Sequence, residues 1–191
     1  METRSIVRIA RGELRCLYSC IHRRSIAIAG IALWGLSGLS VALAADSAPQ
    51  VTLSVAGAGP REVEALTQRS IVRDYRFAWN NLDLALQSNS TGPLNGLFVG
   101  PASEWLNDRV KGQKQSGMSS RYSNQIHKLE VVFYAPEGDV IELHDTAEYD
   151  LEILDAGKTI HTEHATVHYV VLMTPGADRW VIRQLQSVAQ F

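Results

Sequence analysis

Apolar and polar residues recur along this chain in three different rhythms, and each change of rhythm marks a boundary. From Ile26 to Leu43, 18 positions pass without a charge. Arg23-Arg24 precede that run and Ala42-Leu43-Ala44 close it, giving the basic flank, apolar core and small-x-small ending of an export signal cut after Ala44. The run is also near the lower limit of about 17 residues for a membrane span. Residues 1–44 are therefore read as a signal peptide or an uncleaved signal anchor, and 45–60, rich in Ala, Gly and Pro, as a linker or weak edge strand around Val51, Leu53 and Val55.

The second rhythm is helical. Pro60 suits a first helical turn, where its missing N–H costs nothing. Ile71, Tyr75, Ala78, Trp79, Leu82, Ala85 and Leu86 then recur at three- and four-residue spacing, opposite Arg69, Arg73, Arg76, Asn80, Asp83 and Gln87. Ser88 to Pro93 ends this amphipathic helix. Gly100-Pro101 opens another, with Trp105, Leu106 and Val110 inward, that stops near Gly117.

The third rhythm is strict alternation among β-branched and aromatic residues. Four strands are predicted, at 127–134, 140–154, 159–173 and 180–188, separated by turns at 136–139, 155–157 and 175–178. Connections this short favour antiparallel neighbours. The fold class is thus α+β, with N-terminal helices packed on a curved, mainly antiparallel sheet of four or more strands.

Composition narrows the functions. Of 18 basic and 20 acidic residues, six arginines and two glutamates precede Ala45, leaving 12 against 18 and a net charge near −6. Clustered cations carry nucleic-acid binding, so nucleic acid is excluded as a partner and anionic lipid headgroups are disfavoured. Both cysteines, Cys16 and Cys20, lie in the leader. The 147 residues from Ala45 onward hold no thiol for a disulfide, a nucleophile or a metal, and are enough for one domain with its own core. The expected location is periplasmic or secreted, or anchored in the inner membrane through 26–43 with the C-terminal domain outside the cytoplasm.

The order of elements from Arg61 to Phe191 resembles the nuclear transport factor 2-like superfamily, a cystatin-like α+β cone. Leu129-Glu130-Val131-Val132-Phe133-Tyr134 and Arg179-Trp180-Val181-Ile182-Arg183 carry its strand texture. Glu142 to Ala147 and His168 to Pro175 are similar to uncharacterised exported bacterial proteins. The superfamily holds isomerases, dehydratases, ligand-binding domains and interaction domains, so the resemblance implies a fold and leaves the activity open.

Two sets of residues are candidates for function. In the strand 140–154, Asp145 is the only acid among Ile141, Leu143, Ala147, Tyr149, Leu151 and Ile153. If that face lines an open pocket, desolvation raises the Asp145 pKa and suits it to proton transfer, with Tyr149 donating to an oxyanion, as in isomerases of the superfamily. The opposing expectation is that Asp145 pairs with an arginine or sits at the wet rim. Tyr75, Trp79, Trp105 and Tyr169 are candidates for an aromatic ligand cage, with plain core packing as the alternative. His161, His164 and His168 do not make a metal site on a strand, because the first two face apart and the last two stand about 13 Å apart. No metal or cofactor is predicted, and no nucleophile elbow surrounds any serine. The functional expectation is an exported envelope protein that binds a ligand or a protein. The alternative is a small-molecule isomerase or dehydratase built on the acid and tyrosine. A partner protein, a small apolar ligand, or a second copy met through the sheet are the partners this leaves.

Overall fold

A computed structural model describes residues 48–191. The leader at 1–44 and the apolar run at 26–43 lie outside the described residues. Ala44–Phe191 forms a contact unit by itself. Among the described residues no helix is long and apolar enough to cross a membrane.

Five strands form one sheet in the order β1-β2-β3-β4-β5: Gln50–Ser54, Met118–Tyr134, Ile141–Asp155, Lys158–Pro175 and Trp180–Val188. The last four are an antiparallel meander, as their short turns require. The stretch read as linker or edge strand forms β1, which pairs parallel to β2, Gln50 opposite Ile126 and Ser54 opposite Glu130. It is parallel because both helices intervene before β2. Strand β2 begins nine residues earlier than alternation suggested, at Met118 rather than His127. Its first half is polar, with Ser119, Ser120, Ser123 and Asn124, and a register shift between Ser123 and Ile126 breaks the period. Further shifts at Val131/Phe133, Ile153/Leu154 and Leu172/Met173 bend the strands into a cone.

Helix α1, Ala65–Ser88, lies across the concave face and buries Ile71, Tyr75, Ala78, Trp79, Leu82, Ala85 and Leu86. It does not start at Pro60. Gly59 O accepts from Tyr134 N at 2.7 Å and Pro60 bridges to Tyr134, while Arg61 reaches Glu64 and the Pro136 carbonyl, so the chain is tied to the end of β2 before the helix begins. Gly138 in the β2–β3 turn sits at φ +78°, where a Cβ would meet the Arg61 guanidinium at 2.7 Å. Asn89 ends α1 in a left-handed conformation, its Nδ2 donating to Met118 O at 2.8 Å.

Helix α2, Gly100–Gln115, buries Ala102, Leu106 and Val110. Trp105, expected inward, is 36% exposed, since it lies a residue off the buried line, and Arg109 stands 5.8 Å from its ring centre. Two acids behave in the opposite sense. Asp74 and Asp83 are buried on α1, although Asp83 was expected on the polar face. Asp74 accepts from the Trp180 backbone N–H at 2.8 Å and Asp83 from that of Tyr122 at 2.7 Å, so each satisfies a strand donor under the helix.

Candidate functional site

Strand alternation decides what α1 meets inside the cone. Ile141, Leu143, Asp145, Ala147 and Tyr149 of β3 point inward and are buried, with Asp145 fully so. The register places Asp145 opposite Leu129 of β2 and Tyr169 of β4, and His127 opposite Ala147, so His127 reaches Asp145 along the diagonal. From above, α1 brings down Tyr75. Its hydroxyl donates to Asp145 Oδ2 at 2.7 Å, and His127 Nδ1 lies 2.8 Å from the same oxygen. All three side chains are at 0% exposure. Burial, and then the adjoining Asp145 carboxylate, push the Tyr75 phenol well above its usual pKa.

One helical turn after Tyr75, Trp79 fills the middle of the cone. Its ring centre lies 4.3 Å from that of His127, 5.6 Å from Tyr169, 6.1 Å from Tyr122, 6.2 Å from Tyr75 and 6.5 Å from Tyr149. Toward the α2 side, the Tyr149 and Tyr169 hydroxyls stand 3.3 Å apart, and Arg109 Nη2 donates to the Tyr122 hydroxyl at 2.9 Å. Burial, then the neighbouring Tyr149, raises the Tyr169 phenol well above its ordinary value.

The fold therefore gathers Asp145, Tyr75, Trp79 and Tyr169 in one cluster and leaves Trp105 on the surface. Tyr149 joins the same aromatic floor, but four residues along β3 set it about 13 Å from Asp145. The hydroxyl that Asp145 accepts belongs to Tyr75. On this face Trp79 and the rings around it are buried and pack against one another, in the space an open pocket would need. Surface grooves occur elsewhere, one of about 420 Å³ between Phe77, Asn81, Pro93, Asn95 and Arg179.

His127 was missed by sequence reasoning. It alternates inward with Leu129 and Val131, and the signal was a lone ionisable residue among apolar neighbours on β2, matched by Asp145 on β3. His164 and His168 are on the outer face of β4. His164 Nδ1 lies 2.8 Å from Asp150, and the His168 ring meets Phe191 edge-on at 5.0 Å. No group of three or more His, Cys, Asp or Glu placed to hold a metal ion occurs among the described residues.

Chemically, Asp145 and His127 form an oriented acid–imidazole pair. Oδ1 of the first and Nε2 of the second have no hydrogen-bond partner among the described residues. An Nδ1-anchored imidazole with a free Nε2 is the geometry of a general base. The Trp79 ring lies tilted by 43° against that imidazole at 4.3 Å, and both rings are buried, so the imidazole sits inside the core.

No protein-family model and no curated protein matches this sequence. Similarity appears among solved structures. The intermembrane space region of the chloroplast protein ARC6 is 18% identical, covers 69% of this chain and 100% of its own, and has a TM-score of 0.50. A scytalone dehydratase-like protein from Novosphingobium aromaticivorans is 14% identical over 64% of this chain and 85% of its own, with a TM-score of 0.41. A protein of unknown function from Mycobacterium tuberculosis is 13% identical over 66% and 77%, with a TM-score of 0.39. At these identities the likeness concerns the fold alone, helices packed on a curved, mainly antiparallel α+β sheet.

Proposed function

We propose that this chain is an exported domain of the cell envelope that works by binding through its surface, with its cone closed as a structural core. The observation that carries this reading is the occupied cone: Asp145, His127, Tyr75 and Trp79 are each at most 1% exposed, with Tyr75 and His127 both hydrogen-bonded to Asp145 Oδ2 and Trp79 packed beside them. A ligand site of ordinary size needs a cleft of roughly 300 Å³ or more lined by apolar and a few polar groups. Here that volume is filled by Trp79 and four tyrosines. Export is supported by Arg23-Arg24, the uncharged run to Leu43 and Ala42-Leu43-Ala44. The ARC6 region, which lies in an intermembrane space, is a precedent for this architecture between two membranes.

Cell fractionation tests the reading. Recovery outside the cytoplasm, with a mass beginning at Ala45 or with the leader retained in the membrane, is the expected result. Recovery in the cytoplasm with an intact leader overturns it.

The isomerase or dehydratase reading has one observation in its favour, the unpartnered His127 Nε2 beside Asp145. It requires Trp79 to swing away before a substrate enters. Trp79→Ala would then gain affinity for small apolar compounds that compete with one another for the vacated space. Catalysis in the unaltered protein, lost on His127→Gln with the fold retained, is the result that would establish it.

A further inference from the structure

The outward face of α1 carries apolar residues where a solvated helix should be polar. At about 100° per residue, Leu66, Phe77 and Leu84 fall within about 20° of a single line along the helix. They are 69%, 46% and 47% exposed, and the line runs opposite the buried Ile71, Tyr75, Leu82 and Leu86. Arg69, Arg73 and Arg76 follow the same stripe about 20° to 80° to one side. Arg179, from the β4–β5 turn, lays its guanidinium 5.3 Å from the Phe77 ring centre. The acids nearby are Asp74, buried and paired with Arg73, and Asp178, paired with Arg179. Glu62 and Glu64 stand before the helix start, the latter held by Arg61.

Charge is segregated across the domain. The outer face of β3 carries Glu142, Glu148, Asp150 and Glu152, on the side of the sheet away from α1. Arg121 pairs with Glu152 and Lys128 with Glu148 on that outer face, where acids still outnumber these two cations, so part of the negative charge that disfavoured anionic headgroups lies away from α1. The point of chain entry agrees. Pro49 O accepts from Arg76 Nε at 3.1 Å, so the chain enters the domain beside the arginine stripe. Only residues 44–48 separate Pro49 from the apolar run ending at Leu43, at most about 20 Å of extended chain.

We propose that the outer face of α1, with Leu66, Phe77 and Leu84 flanked by Arg69, Arg73, Arg76 and Arg179, rests on an anionic lipid surface. Phe and Leu enter the headgroup boundary and the guanidinium groups pair with lipid phosphate. The inference names the partner for the surface-binding reading above and rests on it.

Residues 45–191, which contain the whole described unit and its core, allow the surface to be tested without the leader. Co-sedimentation with phosphatidylglycerol/phosphatidylcholine vesicles is compared with phosphatidylcholine vesicles alone, with circular dichroism confirming that each variant is folded. Binding to the mixed vesicles is expected, weakened about fivefold by each of Arg69→Gln and Arg73→Gln. Phe77→Ser and Leu84→Ser should weaken it further, high salt should release it, and Lys128→Gln on the outer sheet face should leave it unchanged. Equal binding to both vesicle types, no binding to the anionic ones, or indifference to the arginine substitutions overturns the proposal. Because the leader is absent, these outcomes are independent of the fractionation result for the export reading.

Discussion

Asp145→Asn should destabilise this domain strongly, and the reason lies in what its Oδ2 receives. Two donors, the Tyr75 hydroxyl at 2.7 Å and His127 Nδ1 at 2.8 Å, converge on one oxygen of a fully buried carboxylate. A hydrogen bond to a charged acceptor contributes about 1.5–3 kcal/mol and a neutral one about 0.5–1.5, so neutralising the acceptor loses about 1–1.5 kcal/mol at each donor. Uncoupling the imidazole from its acid brings the total to about 3 kcal/mol, the lower end of the range for breaking a buried pair. At about 3 °C per kcal/mol for a domain of this size, the thermal midpoint should fall by about 9 °C near neutral pH. Differential scanning calorimetry of wild type and variant measures it, with Asp150→Asn as a control, since that acid pairs with His164 at the surface. A midpoint at or above wild type for Asp145→Asn would refute the reasoning, because an unpaired buried carboxylate gains from neutralisation while a paired one loses.

Two further substitutions and a pH titration extend the account. Trp79→Ala should cost about 4 kcal/mol by urea denaturation, since it empties the centre of the core, whereas Trp105→Ala should cost less than half of that. Comparable losses would mean that the helix faces are assigned wrongly. Tyr75 and Tyr169 have raised pKa values in the folded state, so the stability they confer is present below the ordinary tyrosine value of about 10 and is lost as pH rises through their folded values. Absorbance at high pH should show these two phenols ionising only with unfolding. Ionisation of every tyrosine before loss of the circular dichroism signal would contradict that burial.

Strands β3 to β5, the second half of β2 and their turns were legible because alternation and Gly/Asp-containing turns are local properties, whereas the polar first half of β2 was not. The face that Asp145 occupies was legible for the same reason, one acid on an otherwise apolar face. What it would touch was not. Tyr75 lies 70 residues away and His127 lies 18 away, and only the crossing of α1 over the bent sheet brings them together. Asp83 looked solvent-facing because a helical wheel does not register the Tyr122 N–H that needs an acceptor beneath the helix. Pro60 looked like a helix start because its missing N–H fits one, yet it serves as well in the segment bridged to Tyr134. Whether a cone is empty or full depends on the summed volume of rings from four elements, and no single strand carries that information. The same limit applied to charge: a net value near −6 concealed the separation of arginines on α1 from acids on β3.

Native mass spectrometry of the protein purified gently from the cells that make it tests the closed cone most directly. The account predicts the mass of the polypeptide alone once lipid is exchanged for detergent and the detergent is stripped, because Trp79 and its neighbouring tyrosines already occupy the interior. A small apolar molecule that stays bound after stripping, and is lost when Trp79 or Asp145 is substituted, would contradict it.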